Sequence, residues 1–542
     1  MNRFWRGGEL FVWLTASAVA MSLLMVGGML ALIMVHGLGQ FWPASLQEVT
    51  LKNGQILIGE AIAEQQTPGS VSAERPDGLT RVRFKIGNRD VFGSDFRWVD
   101  ESDIESRATP SDLVFVERRE WGPAYGRIQG LVDREAGDGP AVQGWSEVLA
   151  HLDTATALRN RINHIEREEI GEINHRIEAA RLQRRALSLG KAGTPAIEAQ
   201  DQALARRMAD LEQDYQSKTA ELEELHRQAG RDTLLLTLSN GKRIGVPLSQ
   251  ILSLTRPNEM TGFDKTRAYL GNLWTFLSGE PREANTEGGI FPAIFGTVLM
   301  VFLMTLAVMP FGVMAAVYLR EYAKQGVLVR LVRIAVNNLA GVPSIVFGVF
   351  GLAFFIYALG GSIDHWLFPE SLPNPTFGTG GILWASLTLA LLTVPVVIVA
   401  TEEGLSAVPR DFREGSVGLG ATRFETIWHV ILPCALPGIL TGLILAMARA
   451  AGEVAPLMLT GVVKLAPSLP LDDHFPFLHL DRKFMHLGFH IYDVGFQSPN
   501  VEAAKPMVYM TTLVLIAVVV TLNCVAVVLR NRLRKRYAGS AV

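Results

Sequence analysis

The sequence predicts an α-helical membrane protein with six transmembrane helices and one large inserted α+β domain, part β-rich and part coiled-coil helical hairpin. Three observations carry that expectation. Six apolar runs, at roughly 11–36, 290–319, 334–362, 376–401, 430–463 and 506–529, are long enough to cross a bilayer, which takes about 20 apolar residues. The chain of 542 residues is 49% hydrophobic but still 19% charged, too apolar for an ordinary soluble enzyme and too charged to lie wholly in a membrane. The polar residues concentrate in 37–285, where the hydrophobic period is first that of strands and then that of helices.

Five of the runs hold no Asp, Glu, Lys or Arg within those limits, and the fifth run holds Arg449 and Glu453. The first run has 26 uncharged residues, longer than the core of about 7–15 residues in a signal peptide, so an uncleaved anchor is expected. Basic residues gather at Arg3 and Arg6, at Arg320, Lys324, Arg330 and Arg333, at Arg410, Arg413 and Arg423, and at Arg530, Arg532, Arg534, Lys535 and Arg536. The loop with Asp364 and Glu370, between runs three and four, has none. Under the positive-inside rule this alternation fits six spans with both termini in the cytoplasm and 37–285 outside. A net charge of −3 with no basic surface interleaved with aromatics gives no reason to expect nucleic acid. Cys434 and Cys524 both fall in apolar runs, which excludes a disulfide framework or a cysteine metal site.

Within 37–285, EVTLKNGQILIGEA (48–61) sets Asn53-Gly54 between alternating apolar residues, a hairpin signal. Val82, Phe84 and Ile86 alternate in a second strand, and LVFVE (113–117) is a third. From about 144 to 228 the residues are those of helices. Leu204, Met208, Leu211, Tyr215, Leu222 and Leu225 form a heptad seam with Lys218 in one skipped position, and Leu158, Ile162, Ile165, Ile173, Ile177 and Ala180 form a facing stripe. With LGKAGTP (189–195) as the turn, an antiparallel hairpin about 50–65 Å long is expected at 1.5 Å per residue. TLSNGKRIG, starting at Thr237, echoes TLKNGQILI, starting at Thr50, with the Asn-Gly aligned, so one β-domain split by the helices is expected. A structural spacer and a docking arm both remain open as its role. No nucleophile with a base is visible there.

REGSVGLGATRFETIWHVILP, Arg413–Pro433, reads as helix, turn, helix on the cytoplasmic side. Gly420 suits a helix end needing positive φ, and Thr422 with Glu425 three residues on forms a capping box. This segment resembles the EAA loop of ABC-importer permeases. Glu414 is followed by the small Gly415 and Ser416, by Gly420 six positions after the Glu, and by Val430, Leu432 and Pro433. Both alanines of the family pattern are replaced, at a cost in helix propensity of about 1 kcal/mol at the glycine. Further stretches, GGIFPAIFGTVLMVFLM, GVPSIVFGVFGL (341–352), ARAAGEVAPLMLTG (448–461) and FQSPN (496–500), are similar to the PstA-type permease of phosphate ABC importers over most of 288–530. The insert 37–285 has no place in the short form of that family.

The resemblance implies a MetI-like core of ABC-importer type. Its expected limits are 1–36 for the amino-terminal segment and first helix, 37–285 for the external (periplasmic) domain, 286–530 for the core with a coupling loop at 402–429, and 531–542 for a basic tail. It implies a permease that moves inorganic phosphate across a bacterial inner membrane. The alternatives are a sulfate or molybdate permease, or a phosphate-signalling scaffold. Expected partners are a cytoplasmic ATP-binding subunit dimer, a second (PstC-type) permease subunit, an external phosphate-binding protein and membrane lipid. No G-x-x-x-x-G-K-[ST] motif occurs, so ATP hydrolysis is expected on another subunit, with no catalytic residue and no cofactor here. Arg413, Glu414, Gly415, Ser416, Gly420, Leu432 and Pro433 form the expected ATPase-coupling loop.

Arg449 and Glu453 lie inside one expected apolar helix, four residues apart and so on one face. A charge at mid-bilayer costs about 2.5–3.5 kcal/mol or more, so both should face the bundle interior or a wet cavity. A pair that locks helix packing and a cation that presents itself to an oxyanion in the pathway are both open. The resemblance favours the second. His474, His479, His486 and His490 lie with Asp472, Asp473 and Asp481 in one loop; His486 and His490 have metal-pair spacing but no clear third ligand, so no metal site is expected. Asn337 and Asn338 are expected to open the third span, and Pro310, Pro343, Pro395, Pro437 and Pro456 to kink helices.

Overall fold

The computed structural model describes residues 9–66, 80–133, 144–189, 195–498 and 500–538. Arg3, Arg6, Pro499, the last four residues and most of the turn expected at 189–195 lie outside them. The chain divides into two compact units, Met1–Gln40 with Phe276–Val542, and Phe41–Thr275. The first span is α1 (Glu9–Gly39), a helix charged only at its first residue.

The inserted unit begins with a five-stranded antiparallel sheet of β1 (Gln47–Leu51), β2 (Ile56–Gln66), β3 (Thr80–Lys85), β4 (Phe96–Asp100) and β5 (Ile104–Ala108), in the order β4-β3-β2-β1-β5. A second sheet starts with β6 (Leu113–Arg118) and β7 (Ala124–Asp133). It is then interrupted by α2 (Trp145–His164), α3 (Ile170–Leu189) and α4 (Pro195–Ala229), and resumes with β8 (Asp232–Thr237), β9 (Arg243–Pro247) and β10 (Ile251–Thr255). Its order is β10-β6-β7-β8-β9. Both sheets obey one rule: four strands meander, a single 3-10 turn follows (Glu101–Asp103 or Leu248–Gln250), and the fifth strand pairs back on the first.

The single split β-domain expected from the repeat therefore gives way to two five-stranded meanders, and only the second is split. Asn53-Gly54 joins strands one and two of the first sheet, whereas Asn240-Gly241 joins strands three and four of the second. The two turns are alike in detail. Gly54 and Gly241 have φ of +78° and +75°, and each Asn side chain accepts from the amide two residues on, at 2.9 and 3.0 Å. What repeats in the sequence is turn chemistry, a G1-bulge hairpin that demands Gly at the left-handed position, and not a position in the fold.

α2 buries Val148, Leu152 and Ala155 against Val114, Leu234 and Leu248 of the second sheet. It passes through a π turn (Ile165–Glu169) into α3, and α4 returns alongside. Leu204 and Leu211 are buried on the seam with Ile162, Ile165, Ile173 and Ala180. The charge at the skipped position has a partner across the hairpin, since Lys218 Nζ lies 2.7 Å from Glu169 as well as 2.8 Å from Glu221.

The remaining elements start with α5 (Gly262–Ser278) and α6 (Phe291–Val317), whose last turn widens to π geometry through Tyr322 and completes the second span. Next come α7 (Val327–Leu339) and the third span, Ser344–Leu367, which opens with α8 (Ser344–Phe350) and closes with α9 (Gly361–Leu367). The fourth span is α10 (Ile382–Ser406). After it come α11 (Arg410–Gly418), α12 (Arg423–Thr426) and α13 (Leu432–Gly452), the last two joined by a π turn into the fifth span, Arg423–Gly452. Then follow α14 (Ala455–Thr460), α15 (Leu487–Tyr492) and the sixth span in α16 (Val501–Ala538).

Two expected spans change their limits. The third starts at Ser344 and not near 334, because Gly341-Val342-Pro343 ends α7, leaving Asn337 and Asn338 in its last turn. The fifth stops at Gly452 and not at 463, because the chain turns extended at Glu453 (φ −80°, ψ 133°) and Pro456 opens a new helix. Pro343 and Pro456 thus begin helices, while Pro310, Pro395 and Pro437 sit inside them.

The fourth span is the centre of the bundle, with Ile382, Ala385, Leu389 and Val397 buried among Met300, Met304, Leu443, Ala446 and Leu457. Small residues let backbones meet there: a Cβ on Gly438 would lie 2.7 Å from the Cα of Gly404, and one on Gly442 2.5 Å from the Cβ of Ala400. The first span is instead largely exposed along its apolar length, and it packs on the sixth, with Gly37 against the Met510 backbone and the His36 ring 5.3 Å from Tyr509.

Candidate functional site

The segment Pro409–Pro433 is a rigid corner. Pro409 stands at the N-cap of α11, Asp411 lies in its first turn, and Gly420 ends it at φ +89°, with its amide donating to Val417 O at 2.9 Å. The expected capping box is present: Thr422 N donates to Glu425 Oε2 (2.8 Å), and Thr422 Oγ1 accepts from Glu425 N (3.3 Å). These reciprocal bonds satisfy two backbone donors that the start of the helix would otherwise leave unpaired. Ser416 and Thr426 hydroxyls meet at 2.9 Å across the corner. The π turn Ile427–Ile431 comes just before Pro433, which has no N–H to give to the carbonyl four residues back.

Arg413 fastens this corner to two spans. Its guanidinium lies 3.0 Å from Glu321 at the end of the second span and donates to the Leu405 carbonyl of the fourth at 2.7 Å. Arg423 donates to the Glu321 carbonyl and lies 5.4 Å over the Tyr322 ring. Sequence reasoning missed Glu321, whose carboxylate is only 10% exposed. The signal was present as a lone acid among the basic residues after the second apolar run. Beneath the corner, Leu405, Val408, Ile427, Ile431 and Ala435 form one apolar cluster, with Leu432 packed on it.

The outer face of the corner is open. Glu414, Gly415 and Gly420 are exposed, and no atom lies within 4 Å of a Cβ built on either glycine. Phe412, Val417, Leu419 and the stacked pair Phe424 and Trp428, with ring centres 6.2 Å apart, add exposed apolar surface. Leu419 is 93% exposed.

The second charged locus is the break after α13. Arg449 lies in the last turn of that helix, and Glu453 follows its end, donating its amide to Ala450 O at 3.2 Å. Arg449 and Glu453 are therefore not both inside one helix. Their side chains approach to 3.6 Å, well beyond the about 2.7–2.9 Å of a charge-assisted hydrogen bond, and Arg449 is 36% exposed. Ala450 and Ala451 beside them are buried, and α14 resumes under Gly348, where a Cβ would lie 2.7 Å from the Cα of Pro456.

The histidine loop separates into two structures. Asp472 accepts from Arg482 (2.5 Å) and the His474 amide (3.0 Å), and the His479 ring sits 2.9 Å away. Burial pushes the Asp472 pKa up, but these donors outweigh it and hold the carboxyl at about 2. His486 and His490 lie deep in the fold, where burial drives their pKa values down to about 3 and about 4. Among the described residues no three His, Cys, Asp or Glu side chains are grouped to hold a metal ion.

Residues 308–538 match the model of the binding-protein-dependent transport system inner membrane component. The probable ABC transporter permease protein YqgI of Bacillus subtilis (strain 168) is 31% identical over 235 residues, 42% of this chain and 74% of that protein. The chain belongs to the ABC-transporter permease family. The permease also resembles the probable phosphate transport system permease protein PstA of Methanocaldococcus jannaschii, 34% identical over 36% of this chain and 63% of the relative. The phosphate transport system permease protein PstA 1 of Mycobacterium tuberculosis is 36% identical over 34% of this chain and 54% of the relative, so the permease spans little more than half of that protein. A chain of the methionine transporter MetNI aligns over 94% of its own length and 45% of this one, with 20% identity and a TM-score of 0.32. That score carries no further argument, and the fold rests on the six spans and the insert described above. The permease is a multi-pass inner-membrane protein of a non-catalytic family, and the family-model match at 308–538 lies outside its insert.

Proposed function

We propose that the permease moves inorganic phosphate inward, paired with a second permease subunit, driven by a cytoplasmic ATPase dimer and supplied by an external phosphate-binding protein. Three considerations support the reading: the phosphate systems named for two relatives, the capped corner at 409–433, and the cation at the break of the fifth span. In this reading both termini and the corner face the cytoplasm, and 37–285 faces outward. Glu414, Gly415 and the apolar residues Val417 and Leu419 meet the ATPase, while Arg413 passes the push to the second and fourth spans. The small residues of the corner keep its outer face low enough for a partner's backbone to approach.

The observation that carries the reading is Arg449. It stands at a helix break, half-buried within its own chain and only loosely held by Glu453. A guanidinium so placed offers a planar donor fork to a tetrahedral oxyanion, and the nearby carboxylate keeps the site from becoming a trap. Glu453 restrains the cation more than it neutralises it. Uptake of radiolabelled phosphate and sulfate into vesicles holding all the subunits tests this. Phosphate uptake that depends on Arg449 is expected. Equal uptake with Arg449→Gln, or preferential uptake of sulfate, overturns it.

A further inference from the structure

We propose that α5 (Gly262–Ser278) lies in the interfacial layer of the bilayer, where its exposed apolar stripe contacts phospholipid. Phe263, Leu270 and Trp274 are 78%, 59% and 70% exposed. Their spacing of seven and four residues puts them on one helix face.

The opposite face packs in part on the chain that follows the first span. Lys265 Nζ donates to Ser45 Oγ (3.3 Å), Tyr269 packs against Trp42 with ring centres 6.0 Å apart, and Asn272 donates to the Phe41 carbonyl (3.3 Å). Phe41 and Trp42 follow Gly39, the last residue of the first span, by two and three positions. At its other end α5 is tied to the start of the second span: the Ile290 amide donates to Phe276 O (2.9 Å) and the Phe291 amide to Gly279 O (3.1 Å). Phe291 is the first residue of that span. The helix is thus tied at one end to where a span begins, and it packs on residues that have just left another. Amphipathic helices with Trp and Phe settle in the layer about 5–10 Å deep where headgroups meet acyl chains. A 17-residue helix carrying Asp264, Lys265 and Arg267 does not cross the membrane.

The test uses the full chain in phospholipid nanodiscs, with Cys434→Ser and Cys524→Ser as background. Spin labels are placed through Phe263→Cys, Leu270→Cys and Trp274→Cys, and on the opposite face through Lys265→Cys and Asn272→Cys. The ratio of oxygen to nickel-chelate accessibility is expected to be severalfold higher at 263, 270 and 274 than at 265 and 272. High nickel access at the three stripe positions would mean that water covers them, and that result overturns the proposal. So does immobilisation with access to neither reagent, which would mean a protein partner. Far-ultraviolet circular dichroism of each labelled chain confirms the fold, and the other two stripe positions decide the case if one variant fails to fold.

Discussion

The corner at 409–433 and the break after α13 are both charged, yet they hold their charges in opposite ways. In the corner, Arg413 has a carboxylate at 3.0 Å and a carbonyl at 2.7 Å, and Glu425 is locked in a capping box. At the break, Arg449 has one carboxylate at 3.6 Å. A part that transmits force needs its charged groups anchored within its own chain, because slack there wastes the push. A part that greets a passing ion needs unspent donors. The difference between the two sites is the physical argument for giving them different jobs.

The largest expected effect comes from removing the loose cation. Arg449→Gln should lower phosphate uptake about 10- to 100-fold, the equivalent of one lost charged hydrogen bond of about 1.5–3 kcal/mol, while ATP hydrolysis by the assembled transporter continues. Arg449→Lys should recover part of it, since charge returns without the fork. If Glu453→Gln proves as damaging as Arg449→Gln, the pair is a packing lock and the contrast with the corner fails.

Acid should act through the buried histidines, which lie outside both regions and so give a control. The His486 and His490 pKa values are depressed by burial from 6.5 to about 3 and about 4. Between pH 6.5 and about 4 the unfolded chain therefore binds protons that the folded chain refuses, and stability falls as pH falls. Each histidine contributes about 1.4 kcal/mol per pH unit across that window. Melting of the full chain in nanodiscs should shift downward from pH 7 to pH 5, and His490→Gln should flatten the slope. A flat profile in the unaltered chain contradicts this account of their burial.

The fastening of the corner is tested by exchanging its charges. Arg413→Glu alone should cut uptake while leaving ATP hydrolysis intact, because the lever slips against the second span. Combining it with Glu321→Arg should restore part of the loss, with a coupling of about 1 kcal/mol from a double-mutant cycle on uptake. Simple addition of the two losses would mean that force travels by another route.

How much of this could be read from the chain follows from which forces are local. The capping box at Thr422 and Glu425, the positive φ of Gly420 and the Asn-Gly hairpins are set by a few adjacent residues, so they were legible. The six spans were legible because lipid imposes length and polarity on a helix whatever its neighbours. Their ends were not: the apolar run continues through Gly341–Pro343 and resumes directly after Glu453, yet backbone chemistry breaks the helices at both places. Glu321 is visible as a lone acid among basic residues, but its pairing with Arg413 was not legible, because the two are far apart in sequence and the contact exists only after the spans pack. The role of the second Asn-Gly turn was misread for the same reason, since strand order is a property of the whole sheet.

The two glycines of the corner sharpen the comparison at its smallest scale. Neither has an atom within 4 Å of a built Cβ, so packing inside the chain does not demand either one. Backbone separates them: Gly420 has φ of +89° and Gly415 lies in the helix α11. Gly420→Ala should cost about 1 kcal/mol of stability through strain alone. Gly415→Ala should be neutral or stabilising by up to about 1 kcal/mol, since alanine is the better helix former. If its only function is to leave room for a partner, Gly415→Leu should keep the melting temperature of the isolated chain and weaken capture of the ATPase subunit. A chain in which Gly415→Leu binds the ATPase normally removes the reason for a small residue there, and with it the assignment of that exposed face.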